Sequence, residues 1–321
     1  MIKNQENSNF VASEDGLRLA DSGLWFDSYS NGKVTFLSSA DMHERSFIPQ
    51  VMATEETLQL LRVFRRKPAS LICQYNRPFS VGRHSLELLP GGNRLGAANL
   101  YVESRGSSLL YAHSLQGERS QQLRGQQTRK AETLALGAFF PLPLTQSAKR
   151  KKEKRRFLET LVGGEGETTI YCPPTMAPEL TSLLNEASLE VAVHPLLYMI
   201  NRIYEDSGCY LGQRYFSSTS RKASKRLLLV PNTGAISRQL GLSPDVVFIK
   251  RNREISVHFN QGLECFDINP VPDHKQIETF IEQVKPRDLV FFGPYAKAYT
   301  HEFNNSAKSV SALPSNQPSL F

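Results

Sequence analysis

Only four cysteines occur in the 321 residues, at Cys73, Cys172, Cys209 and Cys265, and no two stand in a CxxC pair. That spacing argues against a zinc ribbon and a dithiol redox motif, so the four read as buried free thiols. The seven histidines are equally scattered, with no HxH, HxxxH or HExxH pair to set two imidazoles on one loop or helix face. Any metal would have to be assembled from distant loops. No apolar run approaches the ~18–20 residues that span a bilayer, and the opening MIKNQENSNF lacks the charged-then-apolar order of a signal peptide. No membrane partner is expected, and the expected location is the cytoplasm. GGNRLG at 91–96 is not a GxGxxG fingerprint, GGEGETT at 163–169 lacks the lysine of a phosphate-binding loop, and no GxSxG is present.

What is present is an ordinary globular composition, 40% hydrophobic and 21% charged, with a formal charge of +7 that favours a polyanion over a cationic partner. Residues 1–15 and the Ser/Pro/Asn-rich 305–321 read as flexible tails. Between them the first half offers short β-type segments at 24–26, 34–37, 70–74, 85–89, 99–103 and 109–112, separated by Gly, Asn or Ser turns. One helix interrupts them: Thr54 is a natural N-cap, Glu55 and Glu56 suit the first turn, and Leu58, Leu61 and Phe64 recur at helical spacing. The second half alternates strands with helices in the manner of βαβ units, opening with a very basic helix from Ser147 and closing with a helix over 274–284 and a strand over 288–292. Asp273 is placed as a helix N-terminus, and Asn93, between Gly92 and Arg94, as a left-handed turn residue.

Taken in order, residues 24–294 carry a set of segments that together resemble the metallo-β-lactamase/β-CASP nucleases, and within them the bacterial branch associated with DNA ligase. LWFDS at 24–28 matches that family's opening strand, ATEETLQLLRVF at 53–64 its "ATPETAALL" helix, and PGGNRLGAANLYVE at 90–103 its "PAGHxLGSAxVxVE". LLYAHS at 109–114 stands where "vvySGDy" is expected. TTIYCPP and VAVHPLLYMINRIYEDSG at 191–208 resemble the β-CASP insertion, and PVPDHKQIETFIEQVKPRDLVFFGP at 270–294 the closing segment. The resemblance implies an α/β fold, the metallo-β-lactamase αββα sandwich with an inserted β-CASP-like α/β segment. On it the sandwich takes residues 16–142 and 251–304 as two halves, and the insertion takes 143–250.

The family's chemistry needs two divalent ions about 3.5–4 Å apart, held by imidazoles and carboxylates from several loops. Carried over residue by residue, the first loop HxHxDH falls on Ser38, Ala40, Met42 and His43, of which only His43 keeps its donor. The next histidine falls on Asn93, the bridging aspartate on Ser114, the acidic residue of the β-CASP start on Leu136, and the last two histidines on Val271 and Gly293. Alanine, methionine, leucine, valine and glycine do not replace those donors. The resemblance therefore implies a pseudonuclease, with no metal site, no cofactor and no catalytic residue. A patchwork of Asp41, His43, His113 and Asp273 is the alternative, a weak nuclease using a single ion; a protein-only scaffold is another.

A silent hydrolase fold can still hold phosphates through Lys, Arg and backbone N–H groups. Arg45, Arg83 and Arg94 lie on loops that rim the cleft in the resembled family. The densest charge is KRKKEKRR, seven basic residues in eight: Lys149, Arg150, Lys151, Lys152, Lys154, Arg155 and Arg156. Basic residues in a first helical turn oppose the helix dipole and repel one another, which favours an anionic partner. Arg221 and Lys222 extend the basic character in a Ser-rich loop. The expected partners are nucleic acid, DNA more than RNA, and a protein such as an active nuclease, helicase or ligase in a repair or defence complex.

Overall fold

The computed structural model of the chain describes residues 10–13, 16–19, 22–28, 34–41, 50–64, 68–117, 123–144, 147–163, 168–220, 227–232, 255–259, 262–266, 268 and 271–313. They fall into two compact units, one drawn from Met1–Leu144 and Val271–Leu320, the other from Thr145–Pro270.

In the first unit six strands form a sheet in sequence order: β1 (Phe10–Ser13), β2 (Gly16–Leu19), β3 (Trp25–Phe26), β4 (Val34–Phe36), β5 (Gln50–Ala53) and β6 (Ala69–Ile72). The first three are antiparallel and β3 to β6 are parallel. Helix α1 (Glu55–Val63) joins β5 to β6, and the Thr54 hydroxyl caps it by accepting from the Thr57 N–H, as the sequence suggests.

The unit's second sheet begins as an antiparallel meander of β7 (Phe79–Val81), β8 (His84–Pro90), β9 (Ala98–Ser104) and β10 (Ser107–Ala112). It continues in parallel with β11 (Thr133–Gly137), β18 (Asp288–Phe292) and β19 (Ser309–Ala312). Both faces of this sheet are covered, and a period-two alternation shows how. Leu86, Leu88, Leu100, Val102, Leu109, Tyr111, Ala135, Val290 and Phe292 point to one core, which they share with Leu17, Leu19, Phe26, Phe36 and Met52 of the first sheet. The intervening Leu89, Tyr101, Leu110, Leu134, Leu136, Leu289 and Phe291 point to the opposite core. There they meet Ile277, Phe280, Ile281 and Val284 of α5 (His274–Val284) and Ala296 and Tyr299 of α6 (Ala296–Glu302). The spacing i, i+3, i+4, i+7 in α5 gives one apolar stripe.

The second unit is a six-stranded sheet in the order β14-β13-β15-β12-β16-β17. Its strands are β12 (Thr168–Cys172), β13 (Val191–Val193), β14 (Tyr215–Ser217), β15 (Leu227–Pro231), β16 (Ile255–Phe259) and β17 (Gly262–Phe266). The first four run parallel, with α3 (Ala177–Glu186) and α4 (Pro195–Asp206) in the connections, and the β16–β17 hairpin adds antiparallel to β12. The basic helix α2 (Ser147–Gly163) comes first, and its Phe157 ring meets Phe266 edge-on at 5.3 Å. Among the described residues no helix is long and apolar enough to cross a membrane.

Three sequence expectations change. The β16–β17 hairpin, assigned from sequence to the sandwich halves, pairs with β12 and belongs to the second unit. The ends read as tails each contribute a strand: β1 pairs with β2, and β19 adds to β18, its polar serines half-buried at a sheet edge. Asn93 is not left-handed; Gly92 (φ 77°) and Gly96 (φ 76°) take those positions, where no Cβ has to be accommodated.

Candidate functional site: strand-end loops and a basic helix

In the first unit, the loops carrying the positions singled out from sequence are tied to one another. The Ala98 N–H donates to the Ser38 carbonyl at 2.8 Å, joining the loop after β4 to the start of β9. The Ser38 N–H in turn donates to the Asp27 carboxylate at 2.8 Å, and the Tyr111 hydroxyl donates to its other oxygen at 3.0 Å. Asp27 is 1% exposed and left-handed (φ 44°), and Tyr111 stacks between Phe26 at 4.9 Å and Phe292 at 5.1 Å. A buried carboxylate that satisfies a loop N–H and a core hydroxyl fixes where that loop begins. Sequence reading missed this role; the signal was a lone aspartate closing an apolar strand.

Asn93 and Ser114, twenty-one positions apart, come into direct contact: the Asn93 side-chain amide donates to the Ser114 hydroxyl at 2.5 Å. Arg94 donates to the Asn93 carbonyl at 2.8 Å, and its Nε lies 3.8 Å from the Asp41 carboxylate. The Asp41 N–H donates to the Ser39 hydroxyl. His113 is buried, its ring stacked on Phe139 at 4.4 Å. Asp273 closes a capping box: its carboxylate accepts from the Gln276 N–H at 3.0 Å and its own N–H donates to the Gln276 side chain at 2.7 Å. The Gln276 amide also reaches the Gly117 carbonyl.

Gly293 has φ 105°, and a Cβ there would meet the Ala138 carbonyl oxygen and the Phe139 ring at 3.0 Å. A side chain there is strained by that φ and needs Ala138 or Phe139 to give by a few tenths of an ångström. Ser38 and Ala40 are buried, Leu136 lies in the core of β11, and Val271 is half-buried just before the α5 cap. Met42, His43 and Arg45 fall outside the described residues. Arg83 is exposed in the turn between β7 and β8.

Among the described positions the donor set does not fit a pair of divalent ions. Alanine, leucine, valine and glycine bring no lone pair to a metal, and the Asn93 amide N–H is directed at Ser114. Among the described residues no three His, Cys, Asp or Glu side chains are grouped so as to hold a metal. Of the single-ion patchwork, Asp41 is beside Arg94, Asp273 caps a helix, His113 is stacked on Phe139, and His43 lies outside the described residues.

In the second unit the basic helix splits its charges. Arg150 is 1% exposed and donates to the Ser147 hydroxyl, sharing the buried side of α2 with Phe157 and Leu161. Its predicted place on a phosphate-binding surface is thereby overturned: the spacing i, i+7, i+11 turns it inward, and charge alone did not reveal that. Arg156 lies over the Phe266 ring at 4.5 Å, 3.6 Å from Glu153, and donates to the Cys265 carbonyl, so it fastens α2 to β17. Lys149, Lys151, Lys152 and Arg155 are exposed, and Lys154 is half-buried. Arg221 and Lys222 fall outside the described residues. Of the cysteines, Cys73, Cys172 and Cys209 are buried thiols, and burial pushes Cys73 up to about 11, which suppresses the reactive thiolate.

The described residues thus define a mixed α/β protein of two units with an exposed basic helix. No protein-family model matches the chain. Over 208 residues it is 24% identical to a probable DNA ligase from Opitutus terrae, a match covering 62% of this chain and 20% of the ligase. The chain therefore spans only a small part of that protein's length. In structure it is similar to a protein of unknown function from Enterococcus faecalis V583, with a TM-score of 0.56 and 12% identity over 88% of this chain and 79% of that one. That likeness is one of fold.

Proposed function

We propose that the chain is a catalytically silent relative of the metallo-β-lactamase/β-CASP nucleases that binds DNA as a non-catalytic subunit of a DNA-processing complex. Two facing sheets with α5 and α6 packed outside one of them, interrupted by a second α/β unit, agree with the αββα sandwich and its β-CASP-like insertion. The observation that carries the silent reading is the Asn93–Ser114 hydrogen bond: two positions that would face metals in the resembled family face each other instead. The similarity to a probable DNA ligase supports DNA processing as the setting, and the exposed cations of α2 support phosphate binding. A protein partner, an active nuclease, helicase or ligase, would supply the chemistry.

The test is a mobility-shift and cleavage assay on one labelled DNA, with added Mn2+ or Zn2+ and with EDTA. Binding that survives EDTA, with the DNA intact under every metal, is expected. Cleavage that EDTA abolishes, or two tightly held metal equivalents per chain by elemental analysis, would overturn the reading.

A further inference from the structure

We infer that the exposed arc of α2 grips the phosphates of double-stranded DNA. This rests on the nucleic-acid-binding reading above and names its ligand class. On a helical wheel with Arg150, Phe157 and Leu161 inward, Lys151, Arg155, Lys152, Arg156 and Lys149 follow one another around the outward side. Arg150 is buried, and Arg156, although on the outward side, is engaged by Glu153 and the Phe266 ring, so the cations open to a ligand are the other four.

Charge density selects the ligand. Four cations between positions 149 and 155 span about 9 Å of helix axis, roughly one per 3 Å. A duplex presents one phosphate per ~1.7 Å of its axis and a single strand one per ~3.4 Å. A single strand's spacing already meets the cations about one for one, but a duplex sets about twice the charge beside them and so holds them more tightly. Single-strand binders also use aromatic platforms on which bases stack. The one aromatic on α2, Phe157, is 0% exposed and lies against Phe266. No Asn or Gln occurs in α2 to read adenine edges, and its lysines and arginines reach phosphate oxygens.

The free helix is also internally strained by like charge. Lys151 and Arg155 are four apart, Lys152 and Arg155 three apart, and the first turn holds no acid to meet the dipole. Glu153 is engaged by Arg156, and Glu159 lies one turn beyond the cations. A polyanion laid along the arc relieves this repulsion.

Fluorescence anisotropy on the full chain tests the inference, with a labelled duplex of two helical turns, its single strand, and polyglutamate as competitor, over a salt series. For the duplex, log K is expected to fall against log salt with a slope of about −3.6, and Lys151→Gln to reduce that magnitude by about 0.9. Affinity for the single strand should be about tenfold lower or worse. Lys151→Glu creates a Glu–Arg pair at i, i+4 with Arg155, so it should bind the duplex more weakly while its melting temperature holds or rises, which separates lost binding from lost folding. Equal affinity for the single strand, polyglutamate displacing the duplex as well as DNA does, or a slope unchanged by Lys151→Gln would each overturn the inference while leaving a nucleic-acid-binding protein. A wild-type chain that binds neither DNA form would take the underlying reading down with it.

Discussion

The strand-end loops of the first unit and helix α2 of the second treat their polar groups in opposite ways. In the loops, Asn93 meets Ser114, Arg94 meets Asp41, Asp273 meets Gln276, and His113 lies on Phe139. A ligand arriving there must displace contacts already made, and a polar group with a good partner gains little by exchanging it. On α2 the buried Arg150 and the exposed Arg156 are held by the protein, while Lys149, Lys151, Lys152 and Arg155 face solvent at repelling distances. A ligand there removes repulsion as it binds. Preorganised self-satisfaction reads as a structural site, and unrelieved like charge reads as a binding site. That difference, more than the count of basic residues, supports the proposal that the helix binds the ligand.

The largest expected effect lies under the loops. Asp27→Ala leaves the Ser38 N–H and the Tyr111 hydroxyl buried without their carboxylate acceptor, and should cost about 3 kcal/mol of stability, read by urea unfolding. Loss of this anchor should leave the salt slope of DNA binding unchanged, because α2 belongs to the other unit. A cost below about 1 kcal/mol would mean that the loop frame is held by something other than Asp27.

A smaller effect sharpens the same contrast. If Asn93 and Ser114 satisfy each other, Asn93→Ala and Ser114→Ala should not be additive: a double-mutant cycle should return a coupling of about 1 kcal/mol. Additive losses would show that the two groups are independently solvated and still available to a ligand, which breaks the comparison at its first term.

How much of this was legible in the sequence depended on whether the signal was local. The Thr54 and Asp273 caps sit within three residues of the groups they satisfy, and both could be read directly. The span of α2 followed from its opening serine and closing glycine. By contrast, β11 reads TLALG, an apolar run without alternation because both its faces are buried, and period-two reading passes over such a strand. The placement of β16–β17 depends on pairing with β12, about a hundred residues away in sequence, for which no local pattern exists. At the site, the identities of the replaced positions came from resemblance, but that Asn93 and Ser114 close on each other needed the loops in space. The inward turn of Arg150 was readable from its spacing to Phe157 and Leu161, and was hidden by the habit of counting a basic run as one face.

The subtlest test concerns a group in the second unit that behaves like the loops of the first. His194 caps α4, its Nδ1 accepting the Leu196 N–H at 3.2 Å, and burial lowers its pKa from 6.5. An acceptor nitrogen at a helix N-terminus must be unprotonated, so cap and burial favour the same neutral form. The unfolded chain binds a proton here more readily than the folded one. The stabilisation from this group is therefore fully present above pH 6.5 and is lost as pH falls through the folded value. Melting temperature measured downward from neutral pH should decline, and His194→Asn, which keeps a capping oxygen but cannot titrate, should flatten the part of the decline that belongs to this residue. An unchanged pH profile in that variant would mean that His194 is solvated in the folded protein, and that inward-committed polar groups are a property of the first unit alone.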